Sequence, residues 1–432
     1  MKNKSKQGSN YGEWKMIRAG DIFTFIKSYA FSRENLSRGI LSKKDIGNIH
    51  YGDIHSTFTS FSIDLSVVEI PIIKERRFNP KKEELLKDGD LIIADTSEDY
   101  EGVGVAVSIH GLEGRKAVGG LHTFVLRDNK GITNEYYRQY IFRNLKVRNS
   151  LQKVANGVSV YGISKKAVSD ILLSIPSLPE QNRIIAVLEI WDEAIEKLAK
   201  KIEIKKQIKK GLMQDLLSGK KRLVEFRDKW NAQKINDIFY IKKGFGLSKD
   251  KLSNVGKYEC VLYGELYTIY GELITYIKSK TNVRDGALSK SGDVLIPAST
   301  TTGALDLAIA SCIERKDVLI GGDINILRPK KEVDSRFFAF YLTHIKKHNL
   351  ARLAQGVTIF HLYASDFKKI EIEIPEIKEQ TAIAKIILIA DKEISELENK
   401  LSLIRDQKKY LLDNLITGTI RVPETLKIYA NI

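Results

Sequence analysis

Residues Ile175-Pro176-Ser177-Leu178-Pro179-Glu180-Gln181 return as Ile374-Pro375-Glu376-Ile377-Lys378-Glu379-Gln380, 199 positions later. The match runs without a gap to Gly219-Lys220-Lys221-Arg222 against Gly418-Thr419-Ile420-Arg421, with 16 identities in 48 positions. The same offset pairs Asn156-Gly157-Val158-Ser159 with Gln355-Gly356-Val357-Thr358. Further upstream the offset drifts, as insertions make it do. Tyr51-Gly52-Asp53-Ile54-His55 answers Tyr263-Gly264-Glu265-Leu266-Tyr267 at 212. Trp14 with Asp21-Ile22-Phe23 answers Trp230 with Asp237-Ile238-Phe239 at 216. A repeat of this length decides the architecture before any single element does. The unit is a variable region of about 160 residues followed by a constant one of about 48.

The constant regions read as long helices. Pro179 opens the first, Lys378 stands at that place in the second, and both put Glu and Gln in the first turn, where acid favours the dipole. Gly219 and Gly418 are stop signals. Apolar residues recur at steps of three and four: Leu188, Trp191, Ile195, Leu198, Ile202, then Leu212 and Leu216. The second copy offers Ile387, Ala390, Ile394, Leu397, Leu401, Ile404, then Leu411 and Leu415. That is a heptad seam, interrupted by Lys205, Lys209 and Lys408. From Pro179 to Ser218 such a helix is ~60 Å long at 1.5 Å per residue. A seam of this kind has to bury itself, and the partner within the chain is the other copy.

The variable regions read as mixed and strand-rich. Asp90–Ala94 and Asp293–Pro297 are short apolar runs after a Gly-Asp turn, so buried strands are expected. Polar loops Asp95–Glu98 and Ala298–Gly303 follow, then strands over Val103–Ile109 and Leu307–Ile309. Gly119-Gly120 and Gly321-Gly322 open the next strands, and Asn134–Arg143 and Ser335–His344 look like short aromatic helices. The expected map is a polar tail over 1–13, a first module over 14–175, a central helix over 176–222, a second module over 223–374, a distal helix over 375–422 and a tail over 423–432. The expected class is α+β, with the two helices packed as an antiparallel coiled coil of pseudo-twofold symmetry.

Composition narrows the partners. The chain has 432 residues, 70 Lys and Arg against 54 acids, and a formal charge of +16. A chain this basic usually meets a polyanion. Residues Met1 to Asn10 are polar, which reads as neither signal peptide nor anchor, and no apolar run approaches the ~20 residues of a membrane span. Cys260 and Cys312 lack ligand-like spacing and read as reduced thiols of a cytoplasmic protein.

The order Gly157-Val158-Ser159, Ile175-Pro176, Pro179-Glu180-Gln181 and long helix, repeated as Gly356-Val357-Thr358, Ile374-Pro375, Glu379-Gln380 and long helix, resembles the specificity subunits of type I restriction-modification enzymes. The resemblance covers Trp14 to Val422; Lys378 in place of a proline is a local departure. It implies two target-recognition domains, each reading one half of a bipartite, asymmetric site in double-stranded DNA. It also implies paired helices that set the unread spacer, and two docked adenine-methyltransferase (modification) subunits. Restriction subunits join some such assemblies. S-adenosylmethionine then belongs to the methyltransferase, and ATP and Mg to any restriction subunit, leaving no cofactor and no metal on this chain. No membrane contact is implied.

Four kinds of position are candidates for reading DNA. Tyr51, Gly52, Asp53 and His55, with Tyr263, Gly264, Glu265 and Tyr267, suit a tight turn beside a base or phosphate, or else a structural turn with tyrosine in the core. Thr96 and Ser97, with Thr300, Thr301 and Thr302, offer hydroxyls to bases or phosphates. Asn156, Ser159 and Tyr161, with Gln355, Thr358, Phe360 and His361, combine amide, hydroxyl and aromatic groups; their likeness between copies argues for a shared role over half-site discrimination. Arg33, Arg38, Arg115, Lys116, Lys242, Lys243 and Lys249 are basic residues in Gly- or Ser-containing segments. The lysines from Lys205 to Lys210 read as solubilising charges on a coiled coil rather than as phosphate contacts.

Catalytic signatures are missing. Asn79-Pro80 continues with Lys81 rather than the Pro-aromatic pair of an adenine methyltransferase loop. Gly102-Val103-Gly104 lacks its third glycine, and Ile163-Ser164 follows Gly162 where a phosphate loop needs Lys. No Asp follows any of the eight prolines, and Ile345 stands between His344 and His348 where a zinc protease has Glu. The expectation is a non-catalytic subunit; the rival is a coiled-coil scaffold that binds only protein.

Overall fold

The computed structural model describes residues 13–58 and 60–425. The tail expected over 1–13, apart from Glu13, and the part of the C-terminal tail beyond Thr425 lie outside these. Two long helices dominate, Leu178–Leu217 and Ile377–Leu415. Each ends where a glycine adopts the left-handed conformation, Gly219 at φ 71° and Gly418 at φ 72°. There Lys221 N–H reaches back to the Asp215 carbonyl, and Ile420 N–H to that of Asn414.

Contacts divide the chain into two compact units. Residues up to Lys197 join those from Leu401 onward in one, and Leu198–Lys400 form the other. Each unit therefore holds the start of one long helix and the end of the other.

In the first unit a five-stranded sheet runs in the order Phe23–Ile26, Thr123–Asp128, Leu91–Ala94, Ala106–His110, Ser62–Asp64. A four-stranded sheet orders Lys116–Gly119, Ile46–Ile49, Glu69–Ile73, Leu36–Ile40. Lys15–Arg18 pairs antiparallel with Leu172–Ile175, so the module's first strand closes on its last. The core gathers Phe23, Leu91, Leu126, Phe142 and Leu173 with Ile184, Ile185 and Leu188 of the first helix, Leu412 and Leu415 of the second, and Ile416 just beyond it. Fully burying each such aliphatic side chain stabilises by about 1.5–3 kcal/mol.

The second unit repeats the plan. Its five-stranded sheet orders Phe239–Lys243, Ile324–Pro329, Asp293–Pro297, Ser311–Ile313, Leu273–Ile274, each strand the counterpart of its neighbour in the first unit. Asn231–Lys234 closes on Glu371–Ile374. The core takes Met213, Leu216 and Leu217 from the first long helix and Ile383, Ala384 and Ile387 from the second. The smaller sheets keep one parallel pair in common, Lys116–Gly119 on Ile46–Ile49 and Leu319–Ile320 on Tyr258–Val261. They differ in where the outermost strand attaches. Leu36–Ile40 lies beyond Glu69–Ile73, whereas Ala287–Leu288 lies on Leu319–Ile320.

Several expectations change in detail. The strand expected over Leu307–Ile309 is at Ser311–Ile313, because Ala304–Leu307 winds into a 3-10 turn. The helix expected over Asn134–Arg143 shrinks to Arg138–Ile141, while Ser335–His344 forms as expected behind the Asp334 cap. Leu212 is 37% exposed, and Met213 takes its buried place. Leu188, Ile202, Ile387 and Ile394 are buried; Trp191, Ile195, Leu198, Leu397, Leu401 and Ile404 are half-buried. The seam lysines are not mere solubilisers. Lys205 meets Glu393 at 2.8 Å, Lys206 meets Glu398 at 2.6 Å, and Lys209 meets Asp391 in the second unit. Lys408 meets Asp192 in the first. Lys205 and Lys209 step opposite to Glu393 and Asp391 in the second unit, as Glu180 and Asp192 step opposite to Arg421 and Lys408 in the first, so the pairing within each unit is antiparallel. Cys260 and Cys312 are buried and unbonded to each other.

The Gly-Asp motif also finds its reason. Gly89 and Gly292 take φ 80° and 87°, and the aspartate after each is buried. Asp90 receives the Arg127 guanidinium at 2.9 and 2.6 Å, and Asp293 receives Arg328 at 2.9 and 2.6 Å. This fork joins the two central strands of each large sheet.

Candidate nucleic-acid interface

The first motif of each module sits on a short helical turn rather than a tight turn. Its acid is the reason. Asp53 accepts from His50 N–H at 3.2 Å, and Glu265 accepts from Leu262 N–H at 2.8 Å, each reaching back to cap the turn that carries it. Both acids are buried. Asp53 also holds Arg38 at 3.1 Å, and Glu265 accepts from the Ser279 hydroxyl. Asp53, Glu265 and Arg38 therefore shape the surface, while Tyr51, Gly52, Tyr263, Gly264 and Tyr267 are half-buried and His55 is exposed.

The second and third motifs meet in space. Thr96–Ser97 pairs antiparallel with Tyr161–Gly162, and Ser299–Thr300 pairs with Phe360–His361. Ser97 faces Tyr161 just as Thr300 faces Phe360. The first motif joins them: His55 Nε2–H donates to the Thr96 carbonyl at 3.1 Å, and the Tyr267 phenol has Thr300 as its hydrogen-bonding neighbour. Burial pushes the Tyr267 phenol above its ordinary value. Three stretches more than 30 residues apart in sequence thus converge in each module.

At that junction the third motif is a closed loop. Asn156 and Gly162 exchange backbone hydrogen bonds at 3.0 and 2.9 Å, as Gln355 and His361 do at 2.9 and 2.7 Å. The loops between carry Ser159 and Thr358, both exposed, and tips Val158 and Val357 that are 92% and 91% exposed. Gly157 (φ 144°) and Gly356 (φ 119°) make the turn; a Cβ there would lie 1.8 and 1.9 Å from the carbonyl oxygens of Val160 and Ile359. Asn156 and Gln355 are exposed, and Tyr161, Phe360 and His361 half-buried. Tyr100 packs edge-on against Tyr161 at 5.5 Å, and Tyr363 stacks on His361 at 5.8 Å. Ser97 and Thr300 are buried beneath the loops, Thr96 is half-buried, and Thr301 and Thr302 are exposed.

The basic candidates divide. Arg115 is tied into its own turn, donating to the Leu41 carbonyl at 2.9 Å and meeting Glu113 at 3.2 Å. Arg33, Lys116, Lys242, Lys243 and Lys249 are exposed. Of these, Lys249 lines a cavity of about 690 Å³ together with Tyr263, Gly264, Glu265 and Tyr267.

Sequence reasoning missed a second set of residues at the module–helix junction. Gln181 donates to the Pro176 carbonyl at 2.9 Å and accepts from Asn134 N–H at 2.7 Å; Gln380 does the same with Pro375 at 2.9 Å and Asp334 at 3.0 Å. Glu180 grips Arg421, and Glu379 grips Arg222, each through two hydrogen bonds. The guanidiniums lie 5.6 Å from the Trp14 and Trp230 rings. The signal was present, since Gln181, Glu180, Arg222 and Trp14 recur in the repeat as Gln380, Glu379, Arg421 and Trp230. Among the described residues, no cluster of three metal-ligating side chains exists, and no helix is long and apolar enough to cross a membrane.

The family described as the type I restriction modification DNA specificity domain matches residues 11–206 and again 227–403. The chain belongs to this family, as a specificity subunit with two tandem recognition domains. It is 25% identical over 435 residues to a Methanocaldococcus jannaschii protein provisionally assigned as the MjaX type I restriction enzyme specificity subunit, covering 97% of this chain and 96% of that one. It is 24% identical to the MjaVIII specificity subunit of the same organism, over 66% of this chain and 70% of that one. The HsdS subunit of Thermoanaerobacter tengcongensis shares the fold at a TM-score of 0.57 and 15% identity, over 97% of this chain and 100% of that one. A chain from a type I restriction-modification system, solved to explain complex assembly and conformational transition, does so at 0.59 and 15%, over 94% and 98%.

Proposed function

We propose that each recognition domain reads one half of a bipartite DNA site through the junction of its three motifs, and that the half-sites differ. The observation that carries this is the convergence itself. His55, Thr96–Ser97 and Tyr161 meet in one module and Tyr267, Ser299–Thr300 and Phe360 in the other, on the same backbone frame with different side chains. Amide, hydroxyl and aromatic groups on exposed loops are the chemistry that reads base edges. The charge of +16 supplies the sequence-independent attraction to phosphate.

The long helices hold the two domains at a set separation and dock two adenine-methyltransferase subunits, which carry S-adenosylmethionine. Restriction subunits with ATP and Mg join that assembly where present. The chain itself performs no chemistry, needs no cofactor, and works in the cytoplasm beside the DNA it reads.

The test is retention on double-stranded DNA by the full chain with its methyltransferase partner, followed by mapping of methylated adenines in the host genome. A split motif with two unlike halves is expected, with retention falling steeply as salt rises. No retention at low salt leaves the protein-only scaffold as the better reading.

A further inference from the structure

At one backbone position beside each junction the two modules carry opposite chemistry. His122 and Asp323 both stand in the left-handed region, at φ 55° and 59°, immediately before the central strands Thr123–Asp128 and Ile324–Pro329. Their carbonyls do identical work: Asp95 N–H donates to His122 O at 3.1 Å, and Ala298 N–H to Asp323 O at 2.7 Å. The next links match as well, Ile163 N–H to Asp95 O at 2.8 Å and Leu362 N–H to Ala298 O at 2.9 Å. So the main chain at this point is fixed twice over to the strands that form the junction. The side chains are left free to differ, and both are exposed.

Their surroundings differ in step. In the first module Asp95 holds His122 Nδ1 at 3.4 Å, and the Tyr51 ring meets the imidazole edge-on at 5.4 Å. Nε2 is the nitrogen left for an outside partner. In the second module Ala298 replaces Asp95, and Asp323 lines the cavity shared by Lys249, Tyr263, Tyr267 and Lys278. A carboxylate on a DNA-facing surface is repelled by phosphate, so its natural counterpart is an amino group on a base edge. Lys249 and Lys278 beside it offset that repulsion.

We infer that His122 and Asp323 are specificity-determining residues, each fixing the base at one position of its own half-site. The inference rests on the DNA-reading function proposed above and names where within the junction discrimination resides. Asp323 can only accept, so on the strand it faces it selects cytosine or adenine over guanine or thymine. His122 offers a ring nitrogen with a different hydrogen-bond code, which makes the two half-sites unlike at this step.

The test uses the full-length chain with its methyltransferase partner and a double-stranded oligonucleotide library randomised in both half-sites. Asp323→Asn and His122→Asn are the variants, since asparagine tolerates positive φ as the natural residues do and keeps the fold. The expected result is a change of roughly tenfold in base preference at one position of one half-site for each variant, the other half unchanged. A second exchange, Asp323→His, moves the same position again. Parental preferences retained in every variant overturn the inference, as does a uniform change on all sequences, weaker for His122→Asn or tighter for Asp323→Asn, which assigns the residue to the phosphate field instead. A parental chain that enriches no sequence sinks the DNA-reading function itself.

Discussion

Arg421 closes on Glu180 across 241 residues of sequence, with Nε at 2.5 Å from one carboxylate oxygen and Nη2 at 2.7 Å from the other. Arg222 and Glu379 repeat the pair with the roles of the two copies exchanged, both bonds at 2.6 Å. Glu180 and Glu379 are buried, so neither carboxylate can turn to water if its arginine is removed. Arg421→Ala and Arg222→Ala are each expected to destabilise by about 3 kcal/mol. Lys408→Ala leaves behind an exposed acid, Asp192, and should cost less than about 1 kcal/mol. Urea unfolding measures both, and equal effects would refute the assignment.

Gly157→Ala and Gly356→Ala push a Cβ into the carbonyl of Val160 or Ile359. The loop has to open, yet it packs little into either core. DNA retention should fall while the thermal midpoint stays near that of the parent. Retention unchanged in both variants means the closed loops take no part in binding.

Burial pushes the Cys260 thiol up to about 11 and the Cys312 thiol up to about 12. The thiolate is the reactive form, so the folded chain should resist iodoacetamide at about pH 8. Both cysteines should react after denaturation, as mass spectrometry would record. Rapid labelling of the native chain would show that these thiols are not shut away.

Exchanging residues 223–374 with those of a relative should change one half-site and leave the other intact. Each module closes its own strands, Asn231–Lys234 on Glu371–Ile374 in this case, so the graft carries a complete set of strands, while Met213, Leu216, Leu217, Ile383, Ala384 and Ile387 of the host helices supply the rest of its core. Methylome sequencing reads the outcome; altered specificity in both halves would show that the modules do not read independently.

Much of the architecture was legible because it is written twice. The repeat at offset 199 located both long helices, and the Gly-Asp turns located the strands at the centre of each large sheet. Legibility failed where partners are distant in sequence. Glu180 read as a helix-start acid because Arg421 lies 241 residues away, and the seam lysines read as solvated because their acids are on the other helix. The candidate motifs were found one by one, but hydrogen bonds such as His55 to Thr96 are what bring them together. His122 and Asp323 carried no motif at all. Only their shared backbone angle, against divergent side chains, marks them.

The division of each long helix between two units has a consequence for synthesis. The unit Leu198–Lys400 is one unbroken stretch and can close as soon as it leaves the ribosome. The module translated first is the one completed last. Its core keeps a gap for Leu412, Leu415 and Ile416, and its Asn144 amide donates to the Ile416 carbonyl at 2.7 Å. Until those residues arrive, the earliest part of the nascent chain exposes apolar surface, and a ribosome stalled before Leu401 leaves it unfinished.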